Sequence, residues 1–163
     1  MLPCEIYVKI AKSFRGLIDE EWLRQIAEQA LAQKGVNSPV ELGLMITDAR
    51  TIQKLNKKYR AQDEATDVLS FALSEDGSDN TDTTPFITPP DGVLHLGEVV
   101  ISYPQAAAQA EKHHHPLEKE VALLIVHGVL HLLGHDDEEP DAERAMRAEE
   151  ERILGGLSRD GLI

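Results

Sequence analysis

The residues best suited to chemistry sit in one short run, His127-Gly-Val-Leu-His131-Leu-Leu-Gly134-His135-Asp136-Asp137. His127 and His131 are four positions apart, so a helix stacks both imidazoles on one face. At that spacing two ring nitrogens can reach one ion at about 2.0–2.1 Å, the distance of a zinc–imidazole bond. Gly134 permits a sharp reversal of the chain, and a residue just past it can supply a third ligand. The full pattern is H-x-x-x-H-x-x-G-x-x-D, with the offsets of an extended zinc-peptidase pattern that ends in His. Asp137 holds that last position, and a carboxylate oxygen is an acceptable zinc ligand. His135 is the second candidate for the third ligand. A lone His in an apolar helix is best read as a core residue with a hydrogen-bond partner. Two at this spacing, followed by Gly and His-Asp-Asp, point instead to a divalent-metal site, with zinc the favoured ion. A zinc peptidase of this kind needs Glu directly after the first His as general base. Gly128 stands there, so peptide hydrolysis by that route is not expected. A helical glycine also suggests that something approaches the backbone closely. A second tract, His113-His114-His115, can bind metal, but its plainer reading is an exposed helix end leading into a polar connection.

These residues need a rigid support. Residues 116–134, PLEKEVALLIVHGVLHLLG, are apolar almost all round from Val121 to Leu133, which predicts a central buried helix. Pro116 suits its first position and Gly134 its end. Before it, residues 5–10, 40–46, 66–72 and 94–102 read as strands rich in β-branched types. Asp19 opens a helix with Leu23, Ile26, Ala27, Ala30 and Leu31 at helical spacing, stopped near Gly35. Thr47 or Asp48 can cap another, along which Ile52, Leu55 and Tyr59 repeat. A short helix follows Pro104, and an amphipathic one covers about 140–154. Residues 74–92 are Asp, Ser, Thr, Pro and Gly almost throughout and read as a long acidic loop. The pattern predicts one α+β domain over residues 1–163, a mixed sheet packed with helices and a metal site on the central helix.

The chain has 163 residues and a net charge of −13, which at first argues against a nucleic-acid partner. The distribution weakens that argument. Residues 74–92 and 136–151 take 14 of the 29 acids and only 2 of the 16 bases, leaving 15 acids against 14 bases elsewhere. Residues 9–60 carry ten bases and six acids, enough for a local basic face. No apolar run reaches the roughly 20 residues of a membrane span. The start lacks the order of a signal peptide, and Cys4 is alone. A cytoplasmic protein without a membrane partner is expected.

HGVLHLLGHD, taken with LNKKYR at 55–60, TDVLSF at 66–71 and LGEVVIS at 96–102, resembles the YbeY-type endoribonucleases, also called rRNA maturation factors. The four motifs keep that family's order. The resemblance implies a four-stranded sheet with helices around it, and one zinc ion. It implies metal-dependent cleavage of single-stranded RNA, and a role in maturing the 3′ end of small-subunit rRNA and in ribosome quality control. RNA precursors and the small ribosomal subunit are the implied partners. Arg60 matches a functionally important Arg of the family and, with His127, is the candidate catalytic residue. Its guanidinium could hold a phosphate by paired hydrogen bonds, and Lys57 and Lys58 could extend the phosphate-binding face.

Three positions depart from the family pattern. Asp137 stands where the family's third zinc ligand is His, which would lower the site's positive charge by one unit. Glu98 replaces an Asp in the strand motif, and the acidic loop 74–92 is longer than the usual connection. Thr66 and Asp67 could orient the metal ligands or form an ordinary turn, and Ser102 and Glu98 could line the same cleft. Two other functions compete: a non-catalytic ribosome assembly factor with a structural zinc, and a metal-dependent hydrolase of another substrate. A structural zinc is usually closed by four protein ligands, and three are counted here.

Overall fold

Three of the four strands run parallel, and the fourth runs antiparallel at one edge of the sheet. The computed structural model describes residues 4–36, 39–62, 66–72, 93–135 and 139–163, with Arg60 described by its backbone alone. The elements in chain order are β1 (Cys4–Ile10), α1 (Glu20–Gln33), β2 (Val40–Thr47), α2 (Ala49–Arg60), β3 (Val68–Ala72), β4 (Leu94–Ser102), α3 (Tyr103–Lys112), α4 (Leu117–Leu132) and α5 (Pro140–Arg159). The sheet order is β1-β2-β4-β3. β1 pairs parallel with β2 and β2 parallel with β4, while β3 runs antiparallel to β4 with Val68 opposite Ile101. This is a mixed four-stranded sheet in one α+β domain, as the sequence predicts.

The side-chain period of β2 divides the interior. Val40, Leu42, Leu44 and Ile46 are buried on one face, in the main core with α1, α4 and α5. Met45 points to the other face and joins a smaller cluster of Ile52, Leu69 and Val100 under α2. Helix α1 starts at Asp19, whose carboxylate accepts from the Trp22 N–H, and buries Leu23, Ile26, Ala27, Ala30 and Leu31. Such a stripe is what an amphipathic helix needs to dock on a sheet. Helix α4 packs against α1, α3, α5, β3 and β4, which accounts for its apolar surface all round.

Four details differ from the sequence expectation. Pro116 is the residue before the first turn of α4 rather than within it. A short 3-10 turn, Lys12–Phe14, follows β1. Tyr59 does not share the buried face of Ile52, being 59% exposed, with its ring edge against Phe71 at 5.2 Å. Helix α5 continues past 154 to Arg159.

One strand irregularity fixes a motif residue. Glu41 pairs with His95 and Leu42 with Gly97, so Leu96 is an extra residue in β4. Gly97 has φ +130°, and a Cβ there would run into the Phe71 carbonyl oxygen, so only glycine serves. Among the described residues no helix is long and apolar enough to cross a membrane. Residues 74–92 lie outside the described residues.

Candidate metal centre and its cleft

His127 and His131 lie on one face of the last two turns of α4, and their Nε2 atoms are 3.1 Å apart. The rings meet edge to face with centroids 4.6 Å apart. Both side chains are partly exposed while their neighbours Val126, Gly128, Val129, Leu130 and Leu132 are buried. The apolar neighbours hold the helix in place and leave the two imidazoles at the surface of the core.

The other nitrogen of His127 is also held. Its Nδ1 lies 3.0 Å from a carboxylate oxygen of Glu150, a largely buried side chain on α5. With Nδ1–H donated to that carboxylate, the Nε2 lone pair faces His131. This is the arrangement that orients metal-binding histidines. Two ligands at about 2.05 Å in a tetrahedral set are separated by roughly 3.3 Å, close to the distance seen. The two imidazoles therefore fit a tetrahedral ion and could hold one. Glu150 carries no sequence signal for this role, since it comes from another helix and looks like one acid among many.

The end of α4 turns as the glycine predicts. The His135 N–H donates to the Leu130 carbonyl at 2.9 Å and the Gly134 N–H to that of His131 at 3.0 Å. Gly134 has φ +101°, so the helix closes with paired bonds around a left-handed glycine. His135 then faces Lys34 on α1, with its Nε2 3.1 Å from the ammonium. Burial and that ammonium hold His135 below the usual imidazole range. A ligand role through Nε2 would require it to leave Lys34. Asp137 lies outside the described residues.

Gly128 has a packing explanation. A Cβ on it would stand 2.6 Å from one methyl of Val99 and 3.2 Å from the Ser70 hydroxyl. Ser70 donates to the Gly128 carbonyl at 3.3 Å. What approaches the backbone is thus the sheet. Position 128 faces β3 and β4, where a general base could not reach a substrate.

A cleft of about 480 Å³ opens beside His127, lined among others by Asp67, Gln109, Lys112, His113, Glu120 and Glu150. Asp67 accepts from Gln109 at 3.2 Å and from the Thr66 hydroxyl at 3.3 Å. It joins the start of β3 to α3. Ser102 is buried and caps α3 by accepting from the Gln105 N–H at 3.4 Å, and Glu98 lies exposed over Gly43. Neither lines this cleft. Lys57 and Lys58 are exposed on α2 and are not among its lining residues. Arg60 ends the same helix, and its side chain lies outside the described residues.

At the other end of α4, His113, His115 and Glu120 offer ligand atoms within 4.8 Å of one another and could hold a metal ion. The sequence shows the histidines but not their convergence on Glu120, which reads as a solvated acid near a helix start and is buried.

Comparison with known proteins agrees with this architecture. The family model for Endoribonuclease YbeY matches residues 11–158. An Endoribonuclease YbeY of Dehalococcoides mccartyi is 45% identical over 148 residues, 90% of this chain and 92% of that one. One of Roseiflexus castenholzii is 43% identical over 157 residues, 94% of both chains. The solution structure of a Thermotoga maritima protein superposes with a TM-score of 0.58 over 96% of this chain and 94% of that chain. At 20% identity it speaks for the fold. The fold is that of an α+β protein, with clustered histidines that could hold a metal ion. The chain belongs to the Endoribonuclease YbeY family, and membership supports a nuclease, that is a hydrolase acting on RNA.

Proposed function

We propose that this chain is a zinc-dependent endoribonuclease that cuts single-stranded RNA during 3′-end maturation of small-subunit rRNA and in ribosome quality control. On this reading it works in the cytoplasm on the small subunit and its RNA precursors, as one domain spanning residues 1–163. The observation that carries it is the 3.1 Å separation of the His127 and His131 Nε2 atoms, with Glu150 on the far side of His127. His127 and His131 would hold the ion with Asp137 as third ligand, or His135 in its place. When bound, such an ion polarises a phosphoryl oxygen as a Lewis acid.

The chain's own residues would do the rest. Glu150 keeps the His127 ring in one tautomer and one orientation. Arg60 would grip the scissile phosphate with a fork of N–H donors and offset charge that builds on it. Lys57 and Lys58, exposed on the same helix, would draw in the neighbouring backbone. The two acid-rich segments are separate in sequence from the basic stretch 9–60, so the net charge of −13 does not preclude a local RNA-binding face.

The test is cleavage of a single-stranded RNA by untagged protein, with metal content measured by mass spectrometry. Cutting should stop on chelation and in His127→Ala. Arg60→Ala should cut roughly 100-fold more slowly or worse while keeping the wild-type metal content. Cleavage that persists without metal, or that is indifferent to Arg60, would overturn this reading.

A further inference from the structure

We propose that His113, His115 and Glu120 form a second divalent-metal site, selective for a zinc-like ion and separate from the His127–His131 centre. The three residues converge from the end of α3 and the first turn of α4. His115 Nε2 is 2.7 Å and His113 Nδ1 3.6 Å from the same oxygen of Glu120. Two imidazoles and one carboxylate make a donor set suited to zinc, with a fourth position left for water. A tetrahedral set at zinc distances has edges of roughly 3.3 Å. The His113 pair is already near that value, and the His115 pair must open by about half an ångström.

The turn itself presents the ligands. His115 N–H donates to the Ala110 carbonyl and His114 N–H to that of Glu111, which closes α3 with the same paired bonds as α4. The residue at the left-handed position is His114, with φ 57°, where glycine is the usual occupant. His114 is exposed, and the rings of its two neighbours sit 5.6 Å apart at 53°. Glu120 is the fixed element. Its side chain is 3% exposed, and a carboxylate so deeply placed needs compensation for lost water.

The two centres are distinct. Glu120 and His127 are seven residues apart on α4, about 10 Å along its axis. That is too far for the 3.5–4 Å pairing of a two-metal catalytic site. His113, Glu120 and His127 nonetheless line one cleft, together with Lys112. An ion here would turn the Glu120 end of that cleft from negative to positive, and it would tie the α3–α4 turn to the core. A plain His115–Glu120 hydrogen bond is the competing explanation, and it needs neither His113 nor a metal.

The experiment titrates zinc against a chromophoric competitor, using the untagged full chain with His127→Ala and His131→Ala so that the first centre is removed. Stoichiometric uptake should remain. Adding His113→Ala should weaken it at least tenfold, whereas His114→Gly should leave it unchanged. No uptake by the double variant, or an affinity indifferent to His113, refutes the site. Equal weakening by His114→Gly would mean a loose histidine tract and refutes it too. Should the double variant fail to fold, cobalt titration of the otherwise wild-type chain replaces it. Two equivalents are expected, one of them lost with His113→Ala, and a single equivalent in both proteins rules the second site out.

Discussion

Glu150 on α5 and His127 on α4 are 23 residues apart in sequence, and a carboxylate oxygen of one lies 3.0 Å from Nδ1 of the other. That contact fixes which nitrogen of His127 faces His131. Removing such an orienting carboxylate typically costs 10–100-fold in metal affinity. Glu150→Gln keeps the shape of the side chain and should weaken zinc binding at the proposed centre by about that factor. The amide can also accept a hydrogen bond, so Glu150→Ala should be the more severe of the two. Competition titration with each variant checks this, and wild-type affinity in Glu150→Ala would remove Glu150 from the site.

Gly128 tests the packing of α4 on the sheet. Alanine is a better helix former than glycine by about 1 kcal/mol. Against that, the added methyl would meet Val99, whose Cγ atoms stand 2.6 and 2.9 Å away. Valine is stiff about χ1, so it cannot swing aside cheaply. Overpacking costs about 1–3 kcal/mol, and Gly128→Ala should be destabilising by up to ~2 kcal/mol net. Urea denaturation would reveal it. A gain in stability would mean that α4 can lift from β4 without penalty.

Asp48 caps α2, accepting from the Thr51 N–H at 2.7 Å. Hydrogen bonds from the Thr51 side chain and backbone hold its carboxyl below the usual carboxylate range. Because folding lowers this pKa, the contribution is complete above the unfolded value of about 3.9. It is lost as the pH falls through the lower folded value. Asp48→Ala should cost about 1 kcal/mol near neutrality, and the gap between variant and wild type should close in that acid range. Chemical denaturation at a series of pH values follows it, and a gap unchanged in strong acid would contradict the assignment. Helix α2 also carries Lys57, Lys58 and Arg60, so its fraying should reach the proposed phosphate grip.

Cys4 should be a poor nucleophile. Burial, and secondarily the Glu28 carboxylate, push its thiol up to about 11. The thiolate is the reactive form, so alkylation at pH 8 should run at least ~10-fold slower than for a free thiol and accelerate as the pH rises toward that value. Labelling at the rate of a small-molecule thiol would mean that β1 opens readily at its start.

Local pattern carried much of this fold, and tertiary contact explains the remainder. The i, i+4 spacing of His127 and His131 and the glycine after them are visible in the chain, because one helix and its end determine their geometry. Glu150 is not, since its role arises from the packing of α5 on α4. Glu120 is hidden for the opposite reason. A charged residue at a helix start reads as solvated, and the turn carrying His113 and His115 lies against it. The amphipathic pattern runs to about 154, yet α5 continues through Gly155-Gly156 to Arg159. There the side-chain amide of Gln33 on α1 lies over Gly156 and donates to the Ile153 carbonyl, so tertiary contact overrides propensity. Arg60 and Asp137 were singled out by resemblance and spacing. Both rest on side chains outside the described residues, and their roles belong to the proposal.

The bond from Gln33 on α1 to the Ile153 carbonyl on α5 spans 120 residues. Leu23 and Ile26 of α1 lie under α4 and α5 in the same core, so for most of translation they have no lasting cover. At a ribosomal pace of about 5–20 residues per second, that interval is several seconds, during which the nascent chain exposes the apolar stripe of α1. The paired histidines emerge on α4, the first of the two helices that cover it. If the proposed centre binds a metal, capture at His127 and His131 can begin once α4 has emerged, before α5 completes the core, and the ion would then add to the stability of the chain that folds around it.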